Sequence, residues 1–115
     1  MTETTQGKTT VSPEVLTTIA SLAALEVPGV SRLAPVSGGV NKFFRRGSSD
    51  GVRIEGKEYT VFADLFLILK DNVNIREVSR NVQANVARSI QEMVGMEIGE
   101  INVHIEDIDF EGDEA

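Results

Sequence analysis

Cysteine and tryptophan are both absent from the 115 residues, and aromatic residues amount to only 5%. Without cysteine the chain has no disulfides, no thiolate metal sites and no thiol nucleophile. Apolar runs of about eighteen residues, long enough to span a membrane, are also missing. The polar first ten residues lack the apolar stretch of a secretory signal, so we expect a soluble protein of the reducing cytoplasm.

Histidine occurs once, as His104. An enzyme needs a nucleophile, a base and a group that orients them, and His104 falls in a predicted strand with its side chain opposite to the apolar positions. The alternating acids near the C-terminus lack the glycine turn and closing glutamate of a calcium loop. We therefore predict no catalytic residues, no metal site and no cofactor, with His104 as a partly exposed surface residue.

Negative charge is concentrated at the C-terminus. The net charge is −7, and six of the eighteen acidic residues lie in the last ten positions. The remainder carries twelve acids against eleven bases, which argues against general binding of the nucleic-acid phosphate backbone. We predict a solvated acidic tail at residues 111–115, with docking of the tail on a basic partner as the alternative.

Two helices are predicted. The first begins at Pro13, where Ser12 can cap the helix, and it ends at the Val27-Pro28-Gly29 segment. Its apolar residues have helical spacing: Val15, Leu16, Ile19, Ala20, Leu22 and Ala23. The second and clearer helix runs from Ile75 to Val94, because its apolar residues keep one stripe over five turns. Asn74 can cap this helix and Gly95 closes it.

Alternating apolar residues predict strands near 30–36, over 52–55, over 59–69 and over 100–110. Turns are predicted at 48–51 and 56–58. In the last strand the alternation changes phase after Ile105, which indicates a bulge near Glu106 and Asp107.

These elements predict an α+β fold: a two-layer sandwich in which a small mixed sheet of three to four strands carries two main helices on one face. A short amphipathic helix is expected as an insertion around residues 40–46. A single domain at 11–110 follows a disordered tail at 1–10, which is polar and without periodicity.

The chain resembles the alkaline shock protein family of bacterial envelope stress proteins from about Val11 to Phe110. The segments that carry the resemblance are AALEVPGV at 23–30, NIREV at 74–78, VQANV at 82–86, MVGM at 93–96 and INVHI at 101–105. The family often has a glycine before its second helix, where this chain has Asp71-Asn72. Asparagine tolerates the left-handed conformation, so the turn need not be lost.

The resemblance implies a cytoplasmic protein of envelope stress or lipid homeostasis. Family members are in some cases held at the inner face of the membrane through a membrane-protein partner. The family has no catalytic residues that could be carried over to this chain.

The strand predicted at 59–69 is apolar on both faces. If the helices cover one face, three apolar residues are left on the other: Phe62, Phe66 and Ile68. A second copy, another protein or the chain's own segment 40–44 can cover this row, and the first two make it a partner or oligomer interface. Asp64 lies in the same row, where we expect it to pair with Arg53 or another base on a neighbouring strand.

A basic cluster precedes this strand and consists of Lys42, Phe43, Phe44, Arg45 and Arg46. It suits a lid helix with its rings packed down, a contact with a partner, or an anionic membrane surface. Three bases near such a surface contribute about 1 kcal/mol each, which is too little for stable attachment alone. Any membrane association is therefore expected to be indirect.

We predict a non-catalytic interaction or scaffold protein of the envelope that works through protein partners, a membrane-anchored protein among them, and through self-assembly. One alternative is a cytoplasmic regulator of a metabolic enzyme of lipid synthesis. A small RNA-binding module is a weaker alternative, because no aromatic platform or reading motif accompanies the basic residues.

Overall fold

The computed structural model describes residues 10–35 and 51–110, and the backbone of residues 48 and 49. Its elements are α1 (Pro13–Leu25), β1 (Val30–Leu33), β2 (Ser48–Ser49), β3 (Val52–Lys57), β4 (Thr60–Lys70), α2 (Ile75–Val94) and β5 (Glu97–Asp109). The predicted α+β class and the mixed sheet under two helices are confirmed. The acidic tail, the short amphipathic helix and most of the N-terminal tail lie outside the described residues.

Strand β4 is the centre of the sheet. Its whole length pairs in parallel with β5, and its other edge pairs antiparallel with β3 along residues 60–65 and with β1 along residues 67–69. The parallel pair requires a long crossover between its strands, and α2 provides it. The two-residue β2 extends the sheet beyond β3. Among the described residues the sheet thus has five strands, where three to four were predicted, because a turn was expected where β2 lies.

Local signals place the helix ends. The Oγ of Ser12 accepts a hydrogen bond from the Val15 N–H at 3.4 Å, and the Oδ1 of Asn74 accepts one from the Glu77 N–H at 2.9 Å. Gly95 closes α2 in the left-handed conformation, at a φ of 82°. These caps satisfy backbone groups that a helix leaves unpaired at its ends.

A tight turn joins β4 to α2. Asn72 adopts the left-handed conformation there, with a φ of 61°, as expected for a residue that substitutes for glycine. The β3–β4 hairpin differs from the prediction, because β3 continues to Lys57 and the turn lies at Glu58 and Tyr59. Glu58 takes the positive φ in this turn, at 60°.

The core lies between the helices and one face of the sheet. Leu65, Leu67 and Leu69 of β4 are fully buried there. They pack in one cluster with residues of α2, which are Val78, Val82, Val86 and Ile90. The middle of the stripe predicted for α2 is therefore the core face of that helix, whereas Ile75 and Met93 at its two ends are 47% and 70% exposed.

Helix α1 is apolar on two sides. Its buried side includes Leu16, Ile19 and Ala20. Val15 and Leu22, which the helical spacing grouped with them, are 46% and 59% exposed on the outer side. Helical spacing identified the helix but did not separate its core side from its solvent side.

Two bulges shape β5. Successive residues of β4 pair with Ile98 and Glu100 and, further along, with Ile105 and Asp107, so Gly99 and Glu106 are the extra residues. The second bulge confirms the prediction near Glu106 and Asp107. The strand begins at Glu97, earlier than predicted, because the Gly99 bulge interrupts the period-2 alternation from which the strand was predicted.

Candidate interaction surface

The side of the sheet away from the helices presents a mixed aromatic and polar surface, which we call the outer face. The side chains that strand registers place on it include Arg53, Glu55, Lys57, Phe62, Asp64, Phe66, Ile68, Glu100, Asn102 and His104. Three adjacent strands contribute to it, because alternate residues of β3, β4 and β5 point to the same side.

Phe66 is at the centre of a stack that crosses three strands. The ring of His104, on β5, lies parallel to the Phe66 ring with 4.5 Å between centroids and 13° between planes. The Cζ of Arg53, on β3, lies 5.6 Å from the Phe66 centroid, within the range of a cation–π contact. The stack fixes the orientation of all three side chains on the outer face.

Asp64 is bound by its neighbours on β5. Its Oδ1 accepts a hydrogen bond from the Asn102 amide at 3.2 Å and lies 3.1 Å from the Nε2 of His104. The expected base on a neighbouring strand is therefore His104. Arg53 contacts the Phe66 ring instead, although it pairs directly opposite Asp64 in the sheet register.

Phe62 is the exposed aromatic of the outer face, with 37% of its surface accessible. Its ring lies over Gly99, and a Cβ added to Gly99 would come within 2.7 Å of the Phe62 Cζ. The glycine in the β5 bulge thus provides the space that the ring occupies.

The other residues predicted for an interface differ in access. Phe66 is half-buried in its stack, whereas Ile68 is only 4% exposed and offers almost no surface to a partner. The basic cluster at residues 42–46 lies outside the described residues. Phe62 and Phe66 are therefore the members of the predicted set that the structure brings together on an accessible surface.

A polar contact that the sequence did not reveal joins β5 to β1. The Oδ2 of Asp109 accepts hydrogen bonds from the Ser31 hydroxyl at 2.6 Å and from the Arg32 Nε at 3.1 Å. The hydrogen bond from Arg32, and after it that from Ser31, lowers the pKa of the Asp109 carboxyl. The hydrogen bond between Arg32 and Asp109 also raises the pKa of the Arg32 guanidinium. From the sequence Asp109 was one of several acids near the C-terminus, and no local signal distinguished it.

The described part of the chain lacks two other kinds of site. No helix in it is long and apolar enough to cross a membrane. No three histidine, aspartate or glutamate side chains among these residues lie close enough together to hold a metal ion.

Comparison with known proteins identifies the family. The profile of the alkaline shock protein 23 family, described as having a cell envelope-related function, matches residues 1–110. The chain belongs to this family. The family profile confirms the resemblance that the sequence segments predicted, and it connects the chain with the cell envelope.

Two relatives in Bacillus subtilis are similar over nearly the whole chain. The uncharacterized protein YqhY is 32% identical over 111 residues, which are 95% of this chain and 82% of YqhY. The uncharacterized protein YloU is 24% identical over 109 residues and is matched over 91% of both chains. Each match therefore extends over most of the chain that forms the helices and strands.

Among solved structures, the fold resembles the MamM CTD. One MamM CTD structure superposes with a TM-score of 0.57 and 21% identity, covering 82% of this chain and 94% of that one. Its copper form gives a TM-score of 0.58 at 20% identity. At this identity the likeness shows a shared α+β fold.

Proposed function

We propose that this family member serves the cell envelope as a non-catalytic interaction protein that binds protein partners, further copies of itself included, through the outer face. The observation that carries the proposal is the exposed Phe62 ring beside the Phe66–His104 stack. Aromatic side chains at the centre of a patch with polar groups around them match the anatomy of protein interfaces.

The charges on the outer face favour a protein over a nucleic acid. Around Phe62 and Phe66 the strand registers place two bases, Arg53 and Lys57, and three carboxylates, those of Glu55, Asp64 and Glu100. Such a surface lacks the excess of positive charge that binding of a phosphate backbone requires. A partner surface with apolar groups at its centre and bases at its rim would complement it.

We assign the protein to the cytoplasmic side of the membrane, held there through a membrane-anchored partner. The basic cluster at residues 42–46 supports this assignment through its sequence, because bases next to aromatic rings suit a partner groove or an anionic surface. Three bases are too few to hold the protein on lipid alone, so contact with lipid would add to protein binding and would not replace it.

The test compares the wild-type chain with Phe62→Lys. Phe62 lies between Glu55 and Glu100 in the sheet register, so lysine removes the ring without placing like charges together. Ala84→Lys, at an exposed position of α2, is the matched control. Sedimentation velocity measures self-assembly, and crosslinking with affinity capture from native cells identifies partners.

We expect Phe62→Lys to lower the assembly state and to lose captured partners while circular dichroism and the melting temperature stay near wild type. Ala84→Lys should behave as the wild-type chain does. Phe66→Glu should have the same effect as Phe62→Lys if it folds. Unchanged assembly and unchanged partners in a folded Phe62→Lys chain would refute the proposed role of the outer face.

A further inference from the structure

The side of α1 that is turned away from the core is also apolar. Val15, Leu22 and Leu25 are 46%, 59% and 44% exposed there, and Thr18 is exposed between them. Spacings of three, four and three residues place these four side chains in one line along the helix, which we call the α1 stripe. A helix that covers a core with one side usually turns charged and polar residues toward water with the other.

Helix α2, in the same layer, shows that usual arrangement. Five of its exposed residues are charged: Arg76, Glu77, Arg80, Arg88 and Glu92. The thirteen residues of α1 include a single charged one, Glu14. Both helices pack on the same face of the sheet, so the lack of charge on α1 does not follow from its place in the fold. It is typical of a surface that another protein surface covers.

All three hydroxyl groups of α1 are hydrogen-bonded within the helix. The Thr18 Oγ1 donates to the Glu14 carbonyl at 3.0 Å, and the Ser21 Oγ, beside the stripe, donates to the Thr17 carbonyl at 2.8 Å. The buried Thr17 donates to the Pro13 carbonyl in the same way. These bonds to the carbonyl four residues back replace bonds to water. Covering the stripe therefore leaves no hydroxyl without a partner, which would otherwise oppose burial.

The charge around α1 argues against an anionic membrane as the covering surface. No lysine or arginine occurs between Thr10 and Ser31, and the two acids of this region, Glu14 and Glu26, are exposed. Helices that lie on a membrane surface are rich in lysine and arginine on their polar side. An uncharged, apolar protein surface is the covering that the stripe fits.

The stripe is complementary to a second copy of itself. If two α1 helices run antiparallel with their Ala20 residues level, Val15 of each lies opposite Leu25 of the other. Thr18 of each then lies opposite Leu22 of the other. The small threonine leaves room for the large leucine, as interdigitating helix side chains require. The stripe itself contains no charge, so no carboxylate is buried in this pair.

The acids of α1 also stay apart in the antiparallel pair. Glu26 accepts a hydrogen bond from Asn85 of α2 at 3.2 Å, and it therefore lies on the flank of the stripe next to α2. Helical spacing places Glu14 on the opposite flank. A two-fold axis sets like flanks side by side, and the two copies of Glu14 are then about 18 Å apart along the helix axis. At physiological salt such a distance leaves little repulsion.

We propose that the α1 stripe joins two copies of the chain as an isologous, antiparallel helix pair. This contact goes beyond the role proposed for the outer face, because α1 lies in the other layer of the sandwich and the pair needs no residue of the outer face. Thirteen helical residues extend over only about 20 Å, so the interface is small. We therefore expect a weak, reversible dimer.

The first experiment measures self-association of the full-length Phe62→Lys chain, in which the outer face is altered. Sedimentation equilibrium should show a monomer and a dimer whose ratio depends on concentration. Adding Leu22→Lys should raise the dissociation constant about tenfold or more, because each dimer contains the altered residue twice. Adding Met93→Lys instead is the matched control and should leave the constant unchanged. Met93 is an apolar residue of α2, 70% exposed and outside the stripe.

Disulfide trapping tests the orientation, since the natural chain contains no cysteine. A Val15→Cys chain and a Leu25→Cys chain are oxidised separately and as a mixture. Positions 15 and 25 of two copies are level in the antiparallel pair, whereas two copies of position 15 are about 15 Å apart, beyond the reach of a disulfide. We expect the mixture to form mainly the mixed dimer and each chain alone to link much more slowly. Mass spectrometry distinguishes the products.

Several results would overturn the inference without affecting the role proposed for Phe62. One is a Phe62→Lys chain that stays monomeric at every concentration, and another is a Val15→Cys chain that links to itself as fast as to Leu25→Cys. A third is a Leu22→Lys chain that dimerises normally but loses a captured protein, because that protein would then be the occupant of the stripe.

A last variant tests whether the chain's own segment covers the stripe. Residues 37–46 are replaced by a glycine–serine linker of equal length in the Phe62→Lys chain. We expect the dissociation constant of the dimer to stay the same. A dimer that becomes tenfold tighter or more would identify this segment as the occupant of the stripe in the single chain, and the inference would fail.

Discussion

The two faces of β4 differ in how far their apolar side chains are buried. On the helix side, Leu65, Leu67 and Leu69 are completely buried, whereas Phe62 on the outer face keeps 37% of its surface accessible. Both faces are rich in large apolar side chains. Burial under α1 and α2 makes the first face the source of stability, and access to solvent leaves the second open to the partners that we propose for it.

Strand β5 maintains this difference with its bulges. Ile98, Ile101 and Ile105 all lie on the helix side although the spacing between the first two is three residues. The extra residue at Gly99 shifts the alternation by one position, so that Ile101 again lies on the helix side. Glu106 shifts it in the same way before Ile108. Without these bulges a strict alternation would turn part of the strand's apolar residues toward the outer face.

The largest expected effect comes from the buried face. Leu65→Ala should lower the free energy of unfolding by about 2–5 kcal/mol, because it leaves a cavity beneath α2. Phe66→Ala, one residue away on the outer face, should cost only about 1–2 kcal/mol, since the ring is half-buried and loses mainly its stack. Urea unfolding of both variants measures the two values. Equal costs would show that the outer face belongs to the core.

A smaller effect should couple Phe62 to the first bulge. Gly99→Ala places a methyl group against the Phe62 ring, and we expect a cost of about 1 kcal/mol because the ring can shift toward solvent. In a Phe62→Ala background the same substitution should cost almost nothing. A double-mutant cycle in urea measures the coupling. Equal costs in the two backgrounds would mean that the backbone of the bulge, and not the ring, requires glycine.

The smallest effect concerns the contact between β5 and β1. Asp109 has a lower pKa in the folded chain than its usual value of 3.8, so the folded state binds fewer protons. Its contribution to stability is therefore complete above that value and is lost as the pH falls through the folded pKa. Asp109→Asn should lower the melting temperature slightly at about pH 7, and the melting temperatures of the variant and the wild-type chain should converge as the pH falls through the folded pKa of Asp109.

Asn81→Ser, at an exposed position of α2, changes no ionisable group and is the control for Asp109→Asn; its melting temperature should differ from that of the wild-type chain by the same amount at every pH. A constant difference between Asp109→Asn and the wild-type chain across the acidic range would assign the effect to packing. The loss of stability in Asp109→Asn would then not come from the carboxylate charge that Arg32 and Ser31 stabilise.

Much of the architecture could be predicted before the structure. The bounds of α2, its cap Asn74, its closing Gly95 and the bulge at Glu106 were all predicted correctly. Each depends on chemistry within a few residues, either a cap or a change of period. The strand β2 was missed because two residues are too few to show an alternating pattern. The early start of β5 was missed because the bulge at Gly99 interrupts the alternation of that strand.

The candidate surface was only partly predictable. Alternation along β4 placed Phe62, Phe66 and Ile68 on one side, but it could not show that Ile68 is buried. Nor could it show that Phe66 lies between Arg53 and His104, since these residues come from separate strands.

The sequence by itself determined the helices, their caps, the principal strands and the family, since periodicity, capping chemistry and motif order are local properties. Only the tertiary structure decided that β5 lies parallel to β4, which brings His104 to Asp64 across 40 positions, and that Asp109 reaches Arg32 across 77. Contacts at such separations depend on the order of strands in the sheet. That order minimises the free energy of the whole packed domain, and the residues next to each contact in the sequence contain no pattern that indicates it.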